Sequence, residues 1–262
     1  MKKSFEIGLV GGVVAAVLML LSAVGLMGGS LMGMVDPPAL IIIGGGIMCG
    51  VLVAFPLKDV LNLPSVIIAV LFPQQREVSL LVDQIVDLSE TARRDGILAL
   101  DARIQEINDP FLTSGIRMAV DGIHQEIVEG IMRHEINSVN ARHRVGKGMI
   151  SQLGKAAPVF GLIATLLGLV QMLAHMDPAT IGHHMSVAIL GTFYGATTAN
   201  VLFLPLGEKL KNYNQMEVES MEIIVVGVLA IQNGENPRTI RLKLSTFLPP
   251  KLRKPDNVET ES

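Results

Sequence analysis

The chain has 262 residues, of which 50% are hydrophobic and 17% are charged, and its formal net charge is −3. This composition is too apolar for an ordinary soluble domain and too charged for a chain that lies wholly within a membrane. The slightly negative charge and the lack of a basic stripe argue against nucleic acid as the main partner. Cys49 is the only cysteine, which excludes an intrachain disulfide and a cysteine-based metal site.

Four long stretches contain no Asp, Glu, Lys or Arg: residues 7–35, 37–57, 156–176 and 178–207. Each stretch is about 20 to 30 residues long, which is enough for a helix to cross the ~30 Å hydrocarbon core of a bilayer. A long charge-rich segment separates the first pair from the second. The sequence therefore predicts an all-α integral membrane protein with four transmembrane helices, two plus two, and a helical cytoplasmic domain between the second and the third.

The distribution of lysine predicts the orientation. The two short connections within the pairs contain Asp36 and Asp177 and no basic residue. Lysines flank the charge-free stretches on the other side only: Lys2, Lys3, Lys58, Lys147, Lys155, Lys209 and Lys211. Because positively charged loops stay in the cytoplasm, both termini and the large loop are predicted to be cytoplasmic. The first apolar run is too long for a signal-peptide core, so it is interpreted as a retained helix.

These patterns divide the chain into five parts. Residues 1–57 form a first transmembrane hairpin, and residues 58–150 a cytoplasmic helical domain that begins with a short interfacial segment. Residues 151–207 form a second hairpin, residues 208–248 cytoplasmic C-terminal helices, and residues 249–262 a disordered tail. In the large loop, apolar residues recur at helical spacing, and Gly96, Asp109-Pro110 and Gly122 divide it into several short helices. Residues 221–231 are predicted to pack against these helices.

Small residues recur at four-residue spacing within the predicted spans. This spacing lets two helices approach closely in lipid, although glycine is also simply common in membrane helices. The pairs are Gly8/Gly12, Gly25/Gly29, Gly46/Gly50 and Gly191/Gly195.

The polar atoms inside the spans are mainly hydroxyls and amides. Thr165 lies near the middle of the third span and Thr192 at a comparable depth in the fourth, so the two hydroxyls are expected to face one cavity. Hydroxyl and carbonyl oxygens suit a hard cation such as sodium. The alternative is a threonine that bonds back to a carbonyl one turn earlier. His175, His183 and His184 fall at the outer ends of the spans and are interpreted as a solvated loop and not as a metal site.

Two prolines lie near the predicted cytoplasmic ends of the third and fourth spans, at Pro158 and Pro205. Pro205 has no N–H, so the carbonyl of Val201 should lack its helical partner and could bend the helix or face an ion. The alternative is a proline at a helix end with no further role, and Pro158 fits that description as well.

Charged side chains cluster in the large loop at Arg93, Arg94 and Asp101. If the segment is one helix, Arg94 and Asp101 are seven residues apart and share a face, where they could bind a charged partner or each other. A solvated surface is the alternative. No constellation of acid, base and nucleophile is visible, so the chain is not predicted to be an enzyme.

Four stretches of the sequence share one resemblance: residues 91–101 (TARRDGILALD), 157–173 (APVFGLIATLLGLVQML), 185–210 (MSVAILGTFYGATTANVLFLPLGEKL) and 229–238 (LAIQNGENPR). Together they resemble the MotA/PomA family, the A subunit of the bacterial flagellar stator. The resemblance covers about residues 7–248 and implies that five A subunits surround two B subunits in the cytoplasmic (inner) membrane. The B subunit would supply the ion-binding aspartate and the anchor to peptidoglycan, and the rotor's switch protein would be the second partner.

The resemblance also implies roles for single residues. Arg93, Arg94 and Asp101 match charges that contact the rotor, although the family usually has glutamate where Asp101 stands. Pro158 and Pro205 match prolines that couple ion passage to movement, and Thr165 and Thr192 match threonines of the channel. Proton-driven members that resemble the enteric type usually have alanine where Thr165 stands, so the resemblance favours Na⁺ over H⁺ as the translocated ion. No stably bound cofactor is expected.

Two alternatives remain open at this stage. The first is an energiser similar to ExbB/TolQ, which uses the proton-motive force to drive processes at an outer membrane. The second is a membrane scaffold that conducts no ions.

Overall fold

The computed structural model describes residues 2–3 and 6–250 and confirms the all-α fold. The predicted tail lies outside the described residues from position 251 onward. The helices are α1 (Ile7–Leu26), α2 (Pro37–Ala54), α3 (Leu57–Leu61), α4 (Leu63–Leu71), α5 (Val78–Asp95), α6 (Leu100–Arg103), α7 (Pro110–Val120), α8 (Gln125–Ala174), α9 (Pro178–Thr197), α10 (Leu204–Gln232) and α11 (Pro237–Ser245). Short 3₁₀ turns lie at Met32–Met34, Ile97–Ala99 and Ile104–Glu106, and a π-helix at Thr198–Phe203. Two strands of two residues each, β1 (Lys2–Lys3) and β2 (Gln74–Gln75), pair antiparallel.

Among the described residues, four helical segments are long and apolar enough to cross a membrane, as predicted: α1, α2, α8 and the continuous helical stretch from α9 to α10. The second helix of each pair begins at an Asp-Pro sequence. The Asp36 carboxylate accepts the Ala39 N–H at 3.0 Å, and the Asp177 carboxylate accepts the Ala179 N–H at 3.0 Å. Each aspartate caps orphan N–H groups of a helix, and the following proline suits its first turn.

The chain divides into two compact units. The hairpin unit contains residues 6–73 and 142–212, and the helical unit contains residues 2–3, 74–141 and the described residues from 213 onward. Helices α8, with 50 residues, and α10, with 29 residues, each contribute to both units. The predicted domain boundaries after residues 150 and 207 therefore fall inside continuous helices.

The core of the helical unit is built from α5, α7, α10, α11 and the first turns of α8. Ile85, Leu112, Ile224 and Ile240 are fully buried there. Residues 221–231 belong to this core, as the sequence predicts, because the apolar face of α10 packs among the helices of the large loop.

The helix breaks predicted for the large loop are confirmed. Gly96 has φ +86° and ends α5, and Gly122 has φ +71° after α7. Asp109 caps α7 by accepting the N–H groups of Phe111 and Leu112. Asp109 is buried and also pairs with the guanidinium of Arg76, whose Nε lies 2.7 Å from its Oδ2. A buried cap that also binds a cation fixes where α7 begins.

Close packing within the hairpin unit depends on glycine at some of the predicted positions. Gly46 lies against the ring of Phe160, and a Cβ at Gly195 would be 2.5 Å from the carbonyl oxygen of Ala157. By contrast, a Cβ at Gly12 or Gly25 would meet nothing within 4 Å among the described residues. The prediction of close approach therefore holds for the glycines at 46 and 195, and it is wrong for those at 12 and 25 within one chain.

Candidate functional site

Thr165 on α8 and Thr192 on α9 lie side by side, with their hydroxyl oxygens in hydrogen-bond contact. The Oγ1 atom of Thr165 is also 3.1 Å from the carbonyl oxygen of Gly161 and 2.9 Å from that of Ala188. The Oγ1 atom of Thr192 is 3.5 Å from the same Gly161 carbonyl. The two threonines and two backbone carbonyls thus form a four-oxygen cluster between α8 and α9, and this name is kept below.

Small residues at the helix interface bring these oxygens together. A Cβ at Gly161 would lie 3.0 Å from the carbonyl oxygen of Gly191, and one at Gly168 would lie 2.7 Å from that of His184. The backbones of α8 and α9 are therefore close enough for a short threonine side chain to reach a carbonyl of the facing helix. The cluster follows from this packing as much as from the threonines themselves.

The cluster contains both arrangements that the sequence left open. The contact of Thr165 with Gly161 is the back-bond to the carbonyl one turn earlier. The contact with Ala188 crosses to the facing helix and is not part of that local pattern. Two hydroxyls carry two protons between four oxygens, so lone pairs remain for a cation or for water. Asp, Glu, Lys and Arg are absent from residues 156–176 and 178–207, so the cluster itself has no carboxylate to carry a proton.

Pro158 lies inside α8 and not at a helix end, which corrects the alternative that treated it as a terminal proline. A proline in a helix interior has no N–H for the carbonyl four residues earlier, which here belongs to Gly154. Gly154 packs closely on α10, since a Cβ there would be 3.0 Å from a methyl group of Leu204. The missing hydrogen bond of α8 thus lies beside the fourth span.

The fourth span contains a feature that the sequence analysis missed. Six residues, Thr198–Phe203, form a π-helix that directly precedes the turn containing Pro205. In a π-helix the hydrogen bonds run from residue i to i+5, and such segments are frequent at functional sites. Val201, whose carbonyl was expected to lose its partner, lies within this segment. Pro205 was the one available signal, because a missing N–H favours a local change of hydrogen-bond register.

Tyr194 forms a second connection that the sequence did not reveal. Its hydroxyl donates to the carbonyl of Met34 and accepts the N–H of Asp36 at 3.1 Å. Asp36 is buried and caps α2. One side chain of the second hairpin thus holds the start of the second helix of the first hairpin. A tyrosine in an apolar span needs a partner for its hydroxyl, which was the available signal.

The charged segment of the large loop does not form one helix. Gly96 ends α5, a 3₁₀ turn follows, and Asp101 lies on the short helix α6. The prediction that Arg94 and Asp101 share a helical face is therefore wrong. Both residues and Arg93 are exposed, as a surface contact requires.

Arg94 pairs with its neighbour Asp95 instead. Its Nε and Nη2 atoms lie 3.1 Å and 2.9 Å from Oδ2 of Asp95. This hydrogen-bonded pair raises the pKa of Arg94 and lowers the pKa of Asp95 below its ordinary value. Both groups remain charged at neutral pH.

Arg103 joins the two halves of the charged segment, and the sequence analysis missed it. Its Nε is 2.7 Å from Oε2 of Glu106, its Nη2 is 2.7 Å from Oδ2 of Asp87, and its Nη1 is 3.2 Å from Oγ1 of Thr91. The hydrogen bond to Asp87 is the largest of the causes that raise the pKa of Arg103. Glu106 is three residues after Arg103, a spacing that the sequence offers, but Asp87 and Thr91 lie on α5, so no spacing within one helix predicted them.

A shallow cavity of about 160 Å³ brings two of the resembling stretches together. Arg93 and Ile97 line it from one stretch, and Gln232 and Glu235 line it from the other.

At the turn between α8 and α9, the ring centroids of His175 and His184 lie 6.0 Å apart. Among the described residues, no set of three His, Cys, Asp or Glu is arranged to hold a metal ion.

Comparison with known proteins gives a consistent result. The model of the MotA/TolQ/ExbB proton channel family matches residues 103–223. Motility protein A of Bacillus subtilis is 35% identical over 245 residues, which cover 92% of this chain and 90% of that protein. Chemotaxis protein PomA of Vibrio alginolyticus is 35% identical over 243 residues, which cover 92% of this chain and 93% of that protein. The structure of the flagellar MotAB stator complex from Bacillus subtilis matches with a TM-score of 0.86 and 34% identity, over 93% of this chain and 97% of that chain.

Proposed function

The chain belongs to the motility protein A family, and we propose that it is the A subunit of a flagellar motor stator that converts ion-motive force into torque. The matches to motility proteins extend over nearly the whole chain, whose described residues contain four membrane-capable helices. This extent favours a stator over an energiser of the ExbB/TolQ type. Such a protein is a multi-pass component of the inner membrane and not an enzyme.

The observation that carries the ion-channel part of the proposal is the four-oxygen cluster. The spans offer hydroxyls and carbonyls but no carboxylate. A hard cation prefers oxygen ligands, and a relay through hydrocarbon needs an acid. We therefore assign Thr165 and Thr192 to the wall of an ion path whose binding carboxylate comes from a B subunit.

The same cluster supports sodium over proton as the translocated ion. Dehydrated Na⁺ can replace water by hydroxyl and carbonyl oxygens, whereas a proton gains nothing from a cluster that has no titratable group. The B subunit contributes the charge, so it takes part in the choice of ion. Swimming speed at fixed membrane potential should therefore depend on external Na⁺.

The segments that couple ion passage to movement are proposed to be the two proline sites. Pro158 interrupts the hydrogen bonds of α8, and the π-helix before Pro205 widens the fourth span. Each site weakens a membrane helix that continues into the helical unit. A bend at Pro158 would move the part of α8 that precedes it, and a bend at Pro205 would move the part of α10 that follows it. By this route a local event in the membrane is proposed to reach the rotor-facing charges.

The rotor contact is assigned to the exposed charges Arg93, Arg94 and Asp101. Charges at an exposed surface steer association and set its specificity more than its affinity. The assembly is proposed to contain five copies of this chain around two B subunits. Both termini are proposed to lie in the cytoplasm, on the side of the lysine-rich loops.

Motility tests the assignment. The chain and its B subunit are expressed in a flagellated strain that lacks its own A subunit and has no second stator. The unmodified chain should restore swimming, and Arg94→Glu should abolish it while filaments remain. Arg117→Glu, a charge reversal at another exposed arginine of the helical unit, is the matched control and should leave swimming unchanged. Normal swimming of the Arg94→Glu strain rejects the assignment.

A further inference from the structure

We propose that Arg103 is a positioning residue that fixes the short helix α6, and with it Asp101, relative to the end of α5. The inference rests on the proposed rotor contact and names the residue that sets its geometry. Asp101 and the two arginines lie on different helices, separated by Gly96 and a 3₁₀ turn. Their relative placement therefore needs a tertiary contact, because no single helix provides it.

The apolar anchors of this segment fix its depth but not its orientation. Leu100 and Ile104 are buried in the core of the helical unit on either side of Asp101. Ile97 packs against the same core and Ile107 is buried in it. Apolar burial is non-directional, so these contacts hold the segment on the core without specifying the direction of the Asp101 side chain. Hydrogen bonds are directional, and those of Arg103 run from α6 to Asp87 and Thr91 on α5.

The chemistry of the contact requires arginine. Three separate nitrogen atoms of one guanidinium reach three acceptors, at distances between 2.7 and 3.2 Å. A lysine ammonium is a compact point charge and cannot span acceptors that lie on two sides of a planar fork. An isolated ion pair at the surface contributes little to stability. Arg103 instead binds several partners at once, and such a network contributes more than a single exposed pair.

Arg103 also determines which carboxylate is available to the rotor. It neutralises Asp87 and Glu106, which flank the segment. Asp101 is exposed and has no ion pair or hydrogen bond to a side chain in the described part of the chain. Loss of Arg103 would leave two further uncompensated carboxylates near Asp101, and these would compete for the same cationic partner.

The experiment uses the full chain with its B subunit in the strain that lacks its own stator. Torque per stator unit is measured in tethered cells for Arg103→Gln, Arg103→Lys and Asp87→Asn. The control is Arg133→Gln, which removes an ion pair of the same length, 2.7 Å, within one exposed helix face. We expect clearly lower torque in Arg103→Gln, partial recovery in Arg103→Lys, a smaller loss in Asp87→Asn and no change in the control.

Two further readouts separate positioning from a loss of folding. Ion flux through a complex whose B-subunit plug is deleted should be unchanged in Arg103→Gln. Hydrogen exchange in the purified complex should become about two- to fivefold faster in residues 97–106, because an exposed network of this kind slows local opening by about that factor. Protection of α11 should be unchanged. Faster exchange throughout the helical unit would overturn the proposal.

A double variant tests whether Arg103 acts through Asp101. Arg103→Gln combined with Asp101→Ala should give no lower torque than Asp101→Ala alone. Asp101→Ala cells are expected to keep residual torque, and a further loss in the double variant contradicts the proposal. Normal torque in Arg103→Gln also contradicts it when Asp101→Ala lowers the torque and Arg94→Glu cells are paralysed. If those two variants also swim normally, the proposed rotor contact itself has failed, so the two failures are distinguishable.

Discussion

The hydroxyl of Thr165 contacts the hydroxyl of Thr192 across two helices, although the residues are 27 positions apart in the sequence. The same Thr165 oxygen lies 2.9 Å from the carbonyl of Ala188 on the facing helix. This contact defines the face of the second hairpin on which oxygen atoms are concentrated. The first two predictions below depend on it or on the packing around it.

The first prediction concerns the hydroxyl itself. Thr165→Ala removes one oxygen from the cluster without adding bulk, and it should raise the external Na⁺ concentration needed for half-maximal swimming speed by about five- to tenfold, since a single hydrogen-bonding group is worth about 1 kcal/mol. Thr165→Ser keeps the hydroxyl and should stay close to the unmodified chain. Swimming speed that is independent of Na⁺ at fixed membrane potential in the unmodified strain would show that sodium is the wrong ion.

The second prediction concerns the helix contact beneath the cluster. Gly195→Ala places a Cβ 2.5 Å from the carbonyl oxygen of Ala157, and backbone cannot move aside as a flexible side chain can. We expect a destabilisation of about 1 to 3 kcal/mol and a loss of ion flux. Gly182→Ala, on the same helix with nothing within 4 Å of its Cβ among the described residues, is the control. Equal flux and equal thermal stability of the two variants would contradict the packing argument.

The third prediction concerns the link between the hairpins. Tyr194→Phe removes the hydroxyl that binds the Asp36 N–H and the Met34 carbonyl. The two backbone groups then lose a partner, at a cost of about 1 to 3 kcal/mol. The thermal midpoint of the purified complex should fall, while the ring continues to fill its space. A midpoint equal to that of the unmodified protein would mean that the contact is not stabilising.

The fourth prediction concerns the buried ion pair of the helical unit. Arg76→Gln leaves the Asp109 carboxylate buried without its cation, which should cost about 3 to 5 kcal/mol. Because Asp109 caps α7, hydrogen exchange should become faster in α7 before it does so in α11. Arg117→Gln removes an exposed arginine of the same helix and should have no effect. Unchanged exchange in α7 of the Arg76→Gln protein would refute the assignment.

The four spans and their grouping could be predicted because a charge is costly in hydrocarbon, so its absence over a long stretch is informative. Asp36 and Asp177 lie between the charge-free stretches, where an Asp-Pro sequence ends the connection and caps the next helix. The glycine at 195 was predictable from spacing, whereas those at 12 and 25 have the same spacing and no close neighbour among the described residues. Spacing alone therefore permits close packing without specifying it.

The charged segment was predictable in composition but not in geometry. Gly96 is predicted to break the large loop, whereas a face shared by Arg94 and Asp101 requires one helix that continues through Gly96. A positive φ at Gly96 reorients the chain, and the partners of Arg103 on α5 then follow from tertiary packing and not from sequence spacing. The π-helix was missed for a similar reason, because a proline shows that a hydrogen bond is lost but not how the helix accommodates the loss.

The central claim is that this chain has no ion-binding carboxylate in its spans and obtains one from a B subunit. The most direct test is cation flux in liposomes that contain the purified chain alone, compared with liposomes that contain its complex with a B subunit from which the plug is deleted. We predict that the chain alone is electrically silent and that the complex conducts. Robust cation current from the chain alone would contradict the account.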